Sequence, residues 1–298
     1  MRTRKLPYAV IDVFAAEPLG GNPLSIVEGA EDLPDETLAL IAREFNLVET
    51  SFILPPTNVK ADWRIRSFTL AGEEVFGAGG HNSLGVWIWL AQSGRLALAD
   101  GETPFVQEIG NAVYPLTVST RDGAIEAVMD QAAPQWLGQV ADTARLAGLL
   151  GLQVTDVATD RLPAQVVDTG AGHMHVPLRS AETVDRAVPD TAGLKKLLAE
   201  VGGEGINIFA VGAHHEGAQA YARFFNPTMG IPEDPATGTA AGPLAAHLVR
   251  HGILPPGRIV IEQGTKMGRT SLIGVDVEGE RVRIRGGGVR VAEGTLFV

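Results

Sequence analysis

Two stretches of similar sequence decide the fold: GGHNSLG at residues 79–85 and DPATGTAAG at residues 234–242. Each is a loop of small residues that leads into an apolar helix, and each helix ends at a glycine. The loop glycine and the glycine that ends the helix are 14 residues apart in both stretches: Gly80 and Gly94, then Gly238 and Gly252. This repeat predicts two similar halves, each built around one apolar helix.

The strands before the two loops also correspond, because Arg66–Thr69 matches Arg223–Asn226 in pattern. A chain that builds the same loop-to-helix unit twice can direct two helix N-termini at one cleft. The free first-turn amides and the helix dipole favour a negatively charged group at such a position. We therefore expect a site for an anionic ligand.

The composition limits the class of protein. A length of 298 residues predicts about two domains, which we place at residues 1–130 and 131–298. A net charge of −11 argues against nucleic acid or an anionic membrane as a partner. The chain has no cysteine, which excludes disulfides and thiolate chemistry and fits a cytoplasmic protein. The longest apolar run, Val86–Ala91, is too short to span a membrane, so we expect a soluble protein.

Periodicity predicts an α+β fold with short strands and one long helix in each half. Helices are predicted at Pro34–Phe45, Gln135–Leu150 and Thr191–Val201. Strands are predicted over residues 8–14, 24–27, 50–54, 63–68, 112–119, 124–129, 164–168, 206–211, 218–225, 258–263, 271–277, 281–285 and 289–298.

Three titratable residues are candidates for chemistry. Glu49 lies between a helix end and an apolar strand, where loss of solvation would raise its pKa and make it a usable acid or base. His81 and Asp234 lie on the two repeated loops. Taken singly, each is better explained as an ordinary surface or turn residue. Their matched placement favours a site that moves protons.

Metal binding is not expected. His173 and His175 alternate on one strand but have no third ligand nearby in sequence. His247 and His251 are four residues apart on a helix but lack the glutamate of a zinc-protease motif. The glycines around Gly79 also fail the dinucleotide-binding pattern.

The motifs resemble those of the PhzF-like phenazine biosynthesis family. The matching segments are Asp12–Phe14, Gly21–Pro23, Glu49–Phe52, Gly80–Gly85, Glu233–Gly242, Gln263–Gly264 and Gly268–Arg269. The resemblance implies a diaminopimelate-epimerase-like fold with two pseudo-symmetric halves, each a curled sheet around a central helix. It also implies that the last strand can return to the first domain.

The same resemblance implies roles for particular residues. Glu49 would be the general acid/base that takes a proton from one carbon and returns it to another, assisted by His81 and Asp234. The groups that would bind a small carboxylate-bearing substrate are at Asn22, Gly80, Gly238 and Thr239. No cofactor is implied, and family members are often homodimers.

Epimerases of this fold use two cysteines as bases, and the corresponding positions here are Gly79 and Thr237. Neither can abstract a proton from carbon, so a single-carboxylate isomerase is favoured over a two-base racemase. Two alternatives stay open: a non-catalytic carboxylate-binding protein of the same fold, and a lyase or hydratase. The chain departs from the family pattern at two places. The segment Glu74–His81 is one residue longer than usual, and Asn82 replaces the usual Pro or Ala. Both changes lie against the expected pocket, so the motifs do not specify the substrate.

Overall fold

A computed structural model describes residues 3–76, 80–121 and 123–298. Strands and helices are both abundant, so the predicted α+β class is confirmed. Gly79, which we aligned with one cysteine of the epimerases, lies outside the described residues. None of the described helices is long and apolar enough to cross a membrane.

The chain forms two compact units, the first made of Met1–Asp130 and Arg285–Val298 and the second of Gln131–Ile284. The strands of the first unit are β1 (Lys5–Val13), β2 (Asn22–Glu28), β3 (Glu49–Leu54), β4 (Trp63–Thr69), β5 (Glu74–Val75), β6 (Gly101–Ile109), β7 (Ala112–Arg121), β8 (Ala124–Asp130) and β18 (Gly288–Phe297). Its helices are α1 (Asp35–Phe45) and α2 (His81–Gln92).

The strands of the second unit are β9 (Gln135–Val140), β10 (Ala164–Asp168), β11 (Gly172–Pro177), β12 (Gly205–Val211), β13 (Ala220–Asn226), β14 (Ile231–Asp234), β15 (Gly257–Gln263) and β16 (Ser271–Glu278). Its helices are α3 (Thr143–Leu149), α4 (Ala181–Arg186), α5 (Thr191–Val201) and α6 (Gly238–Arg250). Strand β17 (Arg281–Gly286) spans the point where the chain passes from the second unit back to the first.

In the first unit, one helix is enclosed by strands. Helix α2 packs on β1, β2, β3, β4, β7, β8 and β18, and every residue from His81 to Ala91 is buried. The other face of β2 and β3 carries Val27 and Phe52, which pack with Leu38 of α1 in a second apolar cluster. An all-round apolar helix such as α2 is stable only when it is buried on all sides.

The second unit has its own buried helix. Helix α6 packs on β10, β11, β15 and β16, and its residues from Ala240 to Leu248 are all buried. Helices α3, α4 and α5 bring Leu146, Val184 and Leu197 to an apolar core on the strands of this unit. Each unit therefore has a core of its own, as an independent domain requires.

The same succession of strand pairings occurs in both units. In the first, β1–β2, β3–β4 and β6–β7 are antiparallel, whereas β2–β3 and β4–β6 are parallel. In the second, β10–β11, β12–β13 and β15–β16 are antiparallel, whereas β11–β12 and β13–β15 are parallel. Each series has one further antiparallel strand before its first member: β18 beside β1, and β9 beside β10. The repeat found in the sequence thus corresponds to a repeated order of pairing.

One predicted helix is wrong. Residues Gln135–Leu150 do not form a continuous helix, because Gln135–Val140 is a strand and the helix begins only at Thr143. The strand is antiparallel to β10, and its side chains alternate between more and less buried positions. Asp142 ends the strand region and caps the helix by accepting a hydrogen bond from Arg145 N at 2.9 Å.

Candidate active site

Glu49 lies at the start of β3, on the face of the sheet that α2 covers. Parallel pairing places Glu49 beside Leu24 of β2, so that both side chains project from the same face. Asn22, two residues before Leu24, begins β2 and is fully buried. Oε2 of Glu49 is shielded from solvent. The two neighbouring strands therefore place a carboxylate and an amide side chain at the same end of the first unit.

Helix α2 runs along β2 in the same direction. A methyl group added at Gly85 would lie 2.7 Å from Leu24 Cδ2, and further along the helix Trp89 Nε1 donates to Glu28 Oε1 at 2.9 Å. His81 precedes Gly85 by one turn, so it lies at the end of the unit where β2 and β3 begin. The register of one strand pair and one helix thus collects Asn22, Glu49 and His81 at one end.

His81 is a neutral imidazole in this position. It is buried, and burial lowers the pKa of His81 to about 4, because the charged form would lose its solvation. Its Nε2 is also buried and has no hydrogen-bond partner among the described residues. A neutral ring with one uncommitted nitrogen can bind a polar group of a ligand without adding charge.

The first turn of α2 is shaped by Asn82. Its Oδ1 accepts a hydrogen bond from Ser83 N at 2.8 Å, and a methyl group added at Gly80 would lie 2.8 Å from that same Oδ1. Gly80 is therefore the residue that lets Asn82 fold back over the helix start. The Ser83 hydroxyl is buried and has no partner in the part of the chain that is described. Ser83 N is thus already bonded, whereas the amides before it have no partners within the helix, which leaves this end able to bind an anion.

In the second unit, Asp234 is anchored to the loop that starts α6. Thr237 Oγ1 donates to Asp234 Oδ2 at 2.5 Å, and Gln263 Nε2 donates to Asp234 O at 2.7 Å and to Thr237 Oγ1 at 3.0 Å. Ser271 Oγ also donates to Pro235 O at 2.8 Å. These bonds hold the loop rigidly before the first amides of α6, which begin at Gly238.

Two residues of this neighbourhood have roles that the sequence did not indicate. In the sequence Gln263 stands out only as part of the family pattern, yet it makes the hydrogen bonds that hold the loop. In the sequence His173 stands out only as half of a histidine pair that lacks a third metal ligand, yet its Nε2 lies 3.2 Å from Thr239 Oγ1. The alternation of His173 and His175 on one strand face was the available signal, because it places both side chains toward a single neighbouring element.

An arginine–glutamate pair precedes each loop. Arg66 of β4 donates through Nε and Nη2 to the two carboxylate oxygens of Glu74, each at 2.7 Å. Arg223 of β13 makes the same bidentate contact with Glu233 at 2.8 and 2.9 Å. Bidentate guanidinium–carboxylate contacts restrict geometry strongly. Each pair therefore ties the short strand before a loop, β5 or β14, to the longer strand beside it.

The predicted site residues fall into two groups, one in each unit. The structure brings together Asn22, Glu49, Gly80 and His81 in the first unit, and Asp234, Gly238 and Thr239 in the second. Within residues 3–76, 80–121 and 123–298, no group of three or more histidine or acidic side chains is arranged to hold a metal ion.

Known proteins resemble the chain over nearly its full length. It is 36% identical over 300 residues to the trans-2,3-dihydro-3-hydroxyanthranilate isomerase of Pseudomonas fluorescens, with 98% of this chain and 99% of the relative covered. The solved structure of a PhzF-family phenazine biosynthesis protein from Bacillus anthracis has a TM-score of 0.88 at 27% identity, covering 99% and 100% of the two chains. A hydroxyproline epimerase from Agrobacterium vitis shares the fold, with a TM-score of 0.64 at 14% identity and coverage of 100% and 92%.

These similarities first define a class: the protein is an isomerase with an epimerase-type α+β fold. Residues 11–294 match the phenazine biosynthesis-like protein family, and the chain belongs to that family. The resemblance that the motifs carried is thereby confirmed.

Proposed function

We propose that the enzyme moves a proton between two carbons of a small carboxylate-bearing metabolite, with Glu49 as the proton carrier. The observation that carries the proposal is the position of Glu49, at the start of β3, at the same end of the first unit as His81 and on the face that α2 covers. A carboxylate partly shielded from water is suited to general acid/base work near neutral pH.

The isomerisation needs no second reactant. Glu49 removes a proton from one carbon, the electrons of the broken C–H bond move into the conjugated system of the substrate, and the proton returns to another carbon. The product is an isomer with a shifted double bond, and Glu49 ends as it began. His81, neutral at pH 7, would hydrogen-bond the reacting substrate rather than supply positive charge.

Each helix start is a candidate position for a substrate carboxylate. Gly80 precedes α2, and Gly238 and Thr239 form the first turn of α6. Free amides and the dipole favour a negative charge at such ends, typically by 0.3–1 kcal/mol each. Asp234 would assist from a position set by its bond with Thr237.

The residue at the epimerase-cysteine position of the second loop supports a mechanism with a single base. Thr237, which matches the position of an epimerase cysteine, uses its hydroxyl hydrogen to bond Asp234. A neutral hydroxyl is too weak a base to remove a proton from carbon, and the oxygen of this one also accepts a hydrogen bond from Gln263 Nε2. Proton transfer by one carboxylate is therefore favoured over removal and return by two bases.

The relative from Pseudomonas fluorescens is an isomerase of trans-2,3-dihydro-3-hydroxyanthranilate, as its name states. That compound carries a carboxylate and protons on ring carbons, so it fits the proposed site chemically. It is the first probe that we would use.

The test is the exchange of substrate protons with deuterated solvent. We expect Glu49→Gln to lose about 10²–10⁴-fold of exchange and turnover, because its amide cannot carry the proton, while calorimetry still detects binding. Glu44→Gln, which changes an exposed glutamate of α1, is the matched control and should behave as the unmodified protein. Full exchange in the Glu49 variant would refute the assignment.

The same experiment separates the alternatives. Product analysis by NMR distinguishes isomerisation from the elimination or hydration that a lyase or hydratase would perform. Binding without exchange for every carboxylate tried would indicate a non-catalytic binding protein. A homodimer acting in the cytoplasm is proposed from the family resemblance, and light scattering of the purified chain tests the dimer.

A further inference from the structure

A buried histidine outside the predicted site contacts one of the residues proposed to bind substrate. His173 of β11 is 3% exposed, and its Nε2 lies 3.2 Å from Oγ1 of Thr239, in the first turn of α6. Its other nitrogen, Nδ1, is buried and has no hydrogen-bond partner within the described ranges. All of these residues belong to the second unit.

The unpartnered nitrogen decides which tautomer is stable. If Nδ1 carried the hydrogen, a buried N–H donor would have no acceptor and would bear the full penalty of its lost solvation. A lone pair without a donor is tolerated more often than an orphaned N–H group. The hydrogen therefore belongs on Nε2, which donates to Thr239 Oγ1.

The direction of that bond determines what the threonine can do. A hydroxyl has one hydrogen to donate and can accept two hydrogen bonds. Because Thr239 accepts from His173, its own hydrogen is available to another acceptor. In the opposite tautomer the hydrogen is on Nδ1, and Nε2 would accept the hydroxyl hydrogen of Thr239. The threonine would then have no hydrogen to donate to a ligand.

We propose that His173 is a positioning residue, which holds the Thr239 hydroxyl so that its hydrogen points to the substrate carboxylate at the start of α6. The inference rests on the proposed function, because Thr239 contacts the substrate only in that function. No metal or charge on His173 is involved.

The surroundings keep the imidazole in place and neutral. Its ring meets the ring of Phe224 edge-on, with 4.8 Å between centroids. Gly205 lies beside His173 in the parallel pair β11–β12, and a methyl group there would lie 3.2 Å from Nδ1 and 2.4 Å from Phe224 Cζ. Burial lowers the pKa of His173 to about 4, so the ring stays uncharged at pH 7 and has a single hydrogen to give.

The tautomer is tested directly by ¹⁵N NMR of the imidazole in the full chain, without any ligand. The His173 signals are assigned by their loss in His173→Gln. We expect a protonated Nε2 and a bare Nδ1. A hydrogen on Nδ1 would overturn the proposal, whatever the enzyme proves to catalyse.

The functional part is tested by a double-mutant cycle on trans-2,3-dihydro-3-hydroxyanthranilate. We expect His173→Leu and Thr239→Val each to lower kcat/KM about tenfold, as the loss of one hydrogen bond does, and the double variant to be no slower than Thr239→Val alone. His173→Gln, whose amide can still donate, should recover most of the loss. His175→Gln is the control, since it changes the next buried histidine on the same strand face.

Two results would contradict the mechanism through Thr239. If His173→Leu lowered kcat/KM by the same factor in the unmodified protein and in the Thr239→Val variant, the histidine would act only by general packing. No recovery in His173→Gln, with unchanged thermal stability, would show that donation is not its role. If the unmodified protein fails to turn over this probe, the proposed substrate is wrong, and the NMR result still decides the inference.

Discussion

Acidification should weaken the second unit through His247. This histidine of α6 is fully buried, and its Nε2 donates to Pro163 O at 3.0 Å. Burial lowers the pKa of His247 to about 4, although the bond to Pro163 acts in the opposite direction. In the unfolded chain the same group has its ordinary pKa near 6.5.

The magnitude follows from these two values. The unfolded chain binds a proton first, so the contribution to stability is complete above pH 6.5, falls as the pH is lowered, and stops changing below about pH 4. Between pH 7.5 and pH 5.0, a shift from 6.5 to 4 corresponds to a loss of about 2 kcal/mol from this single group.

The assay is urea unfolding at pH 7.5 and pH 5.0, with peptide-level hydrogen exchange to identify the transition of the second unit. His247→Gln keeps a donor for Pro163 but cannot titrate, so its stability should fall by about 2 kcal/mol less than that of the unmodified protein. His215→Gln, at an exposed histidine, is the control and should retain the full acid sensitivity. Equal acid sensitivity in the His247 variant and the unmodified protein would refute the reasoning.

Two further substitutions test the packing that positions the site. Gly85→Ala places a methyl group 2.7 Å from Leu24 Cδ2. After the gain in helix propensity, we expect a net loss of about 1–2 kcal/mol of unfolding free energy and slower proton exchange. Unchanged stability and exchange would contradict the assigned contact. Arg223→Met removes the bidentate partner of Glu233 and the donor to the carbonyls of Val184 and Ala187. Urea unfolding should show that the free energy of unfolding falls by about 3 kcal/mol. A fall below about 1 kcal/mol would show that the pair is dispensable.

Local signals identified several elements accurately. Helix α5 occupies the predicted residues Thr191–Val201, because Asp190 accepts hydrogen bonds from the first-turn amides and Gly202 adopts the left-handed conformation that ends the helix. Strand β10 likewise matches its predicted range. Both elements carry their boundaries in a few adjacent residues, which is why sequence reasoning found them.

The wrong helix at Gln135–Leu150 has the opposite cause. Its apolar residues are compatible with either a helix or a strand, and the choice was made by β10, whose residue Val167 pairs with Trp136. The partner lies about thirty residues further along the chain, so no local pattern could specify it.

The sequence by itself determined the family and the repeated loop-to-helix units, and it singled out Glu49, His81 and Asp234 as candidates, because small-residue loops and polar side chains at strand ends are local features. Only the tertiary structure decided what surrounds them. The register of β2 and β3 places Glu49 beside Leu24, and the packing of β11 against α6 brings His173 to Thr239, 66 residues away. Contacts between distant residues depend on strand register and helix packing, and these follow from the whole core rather than from any one segment.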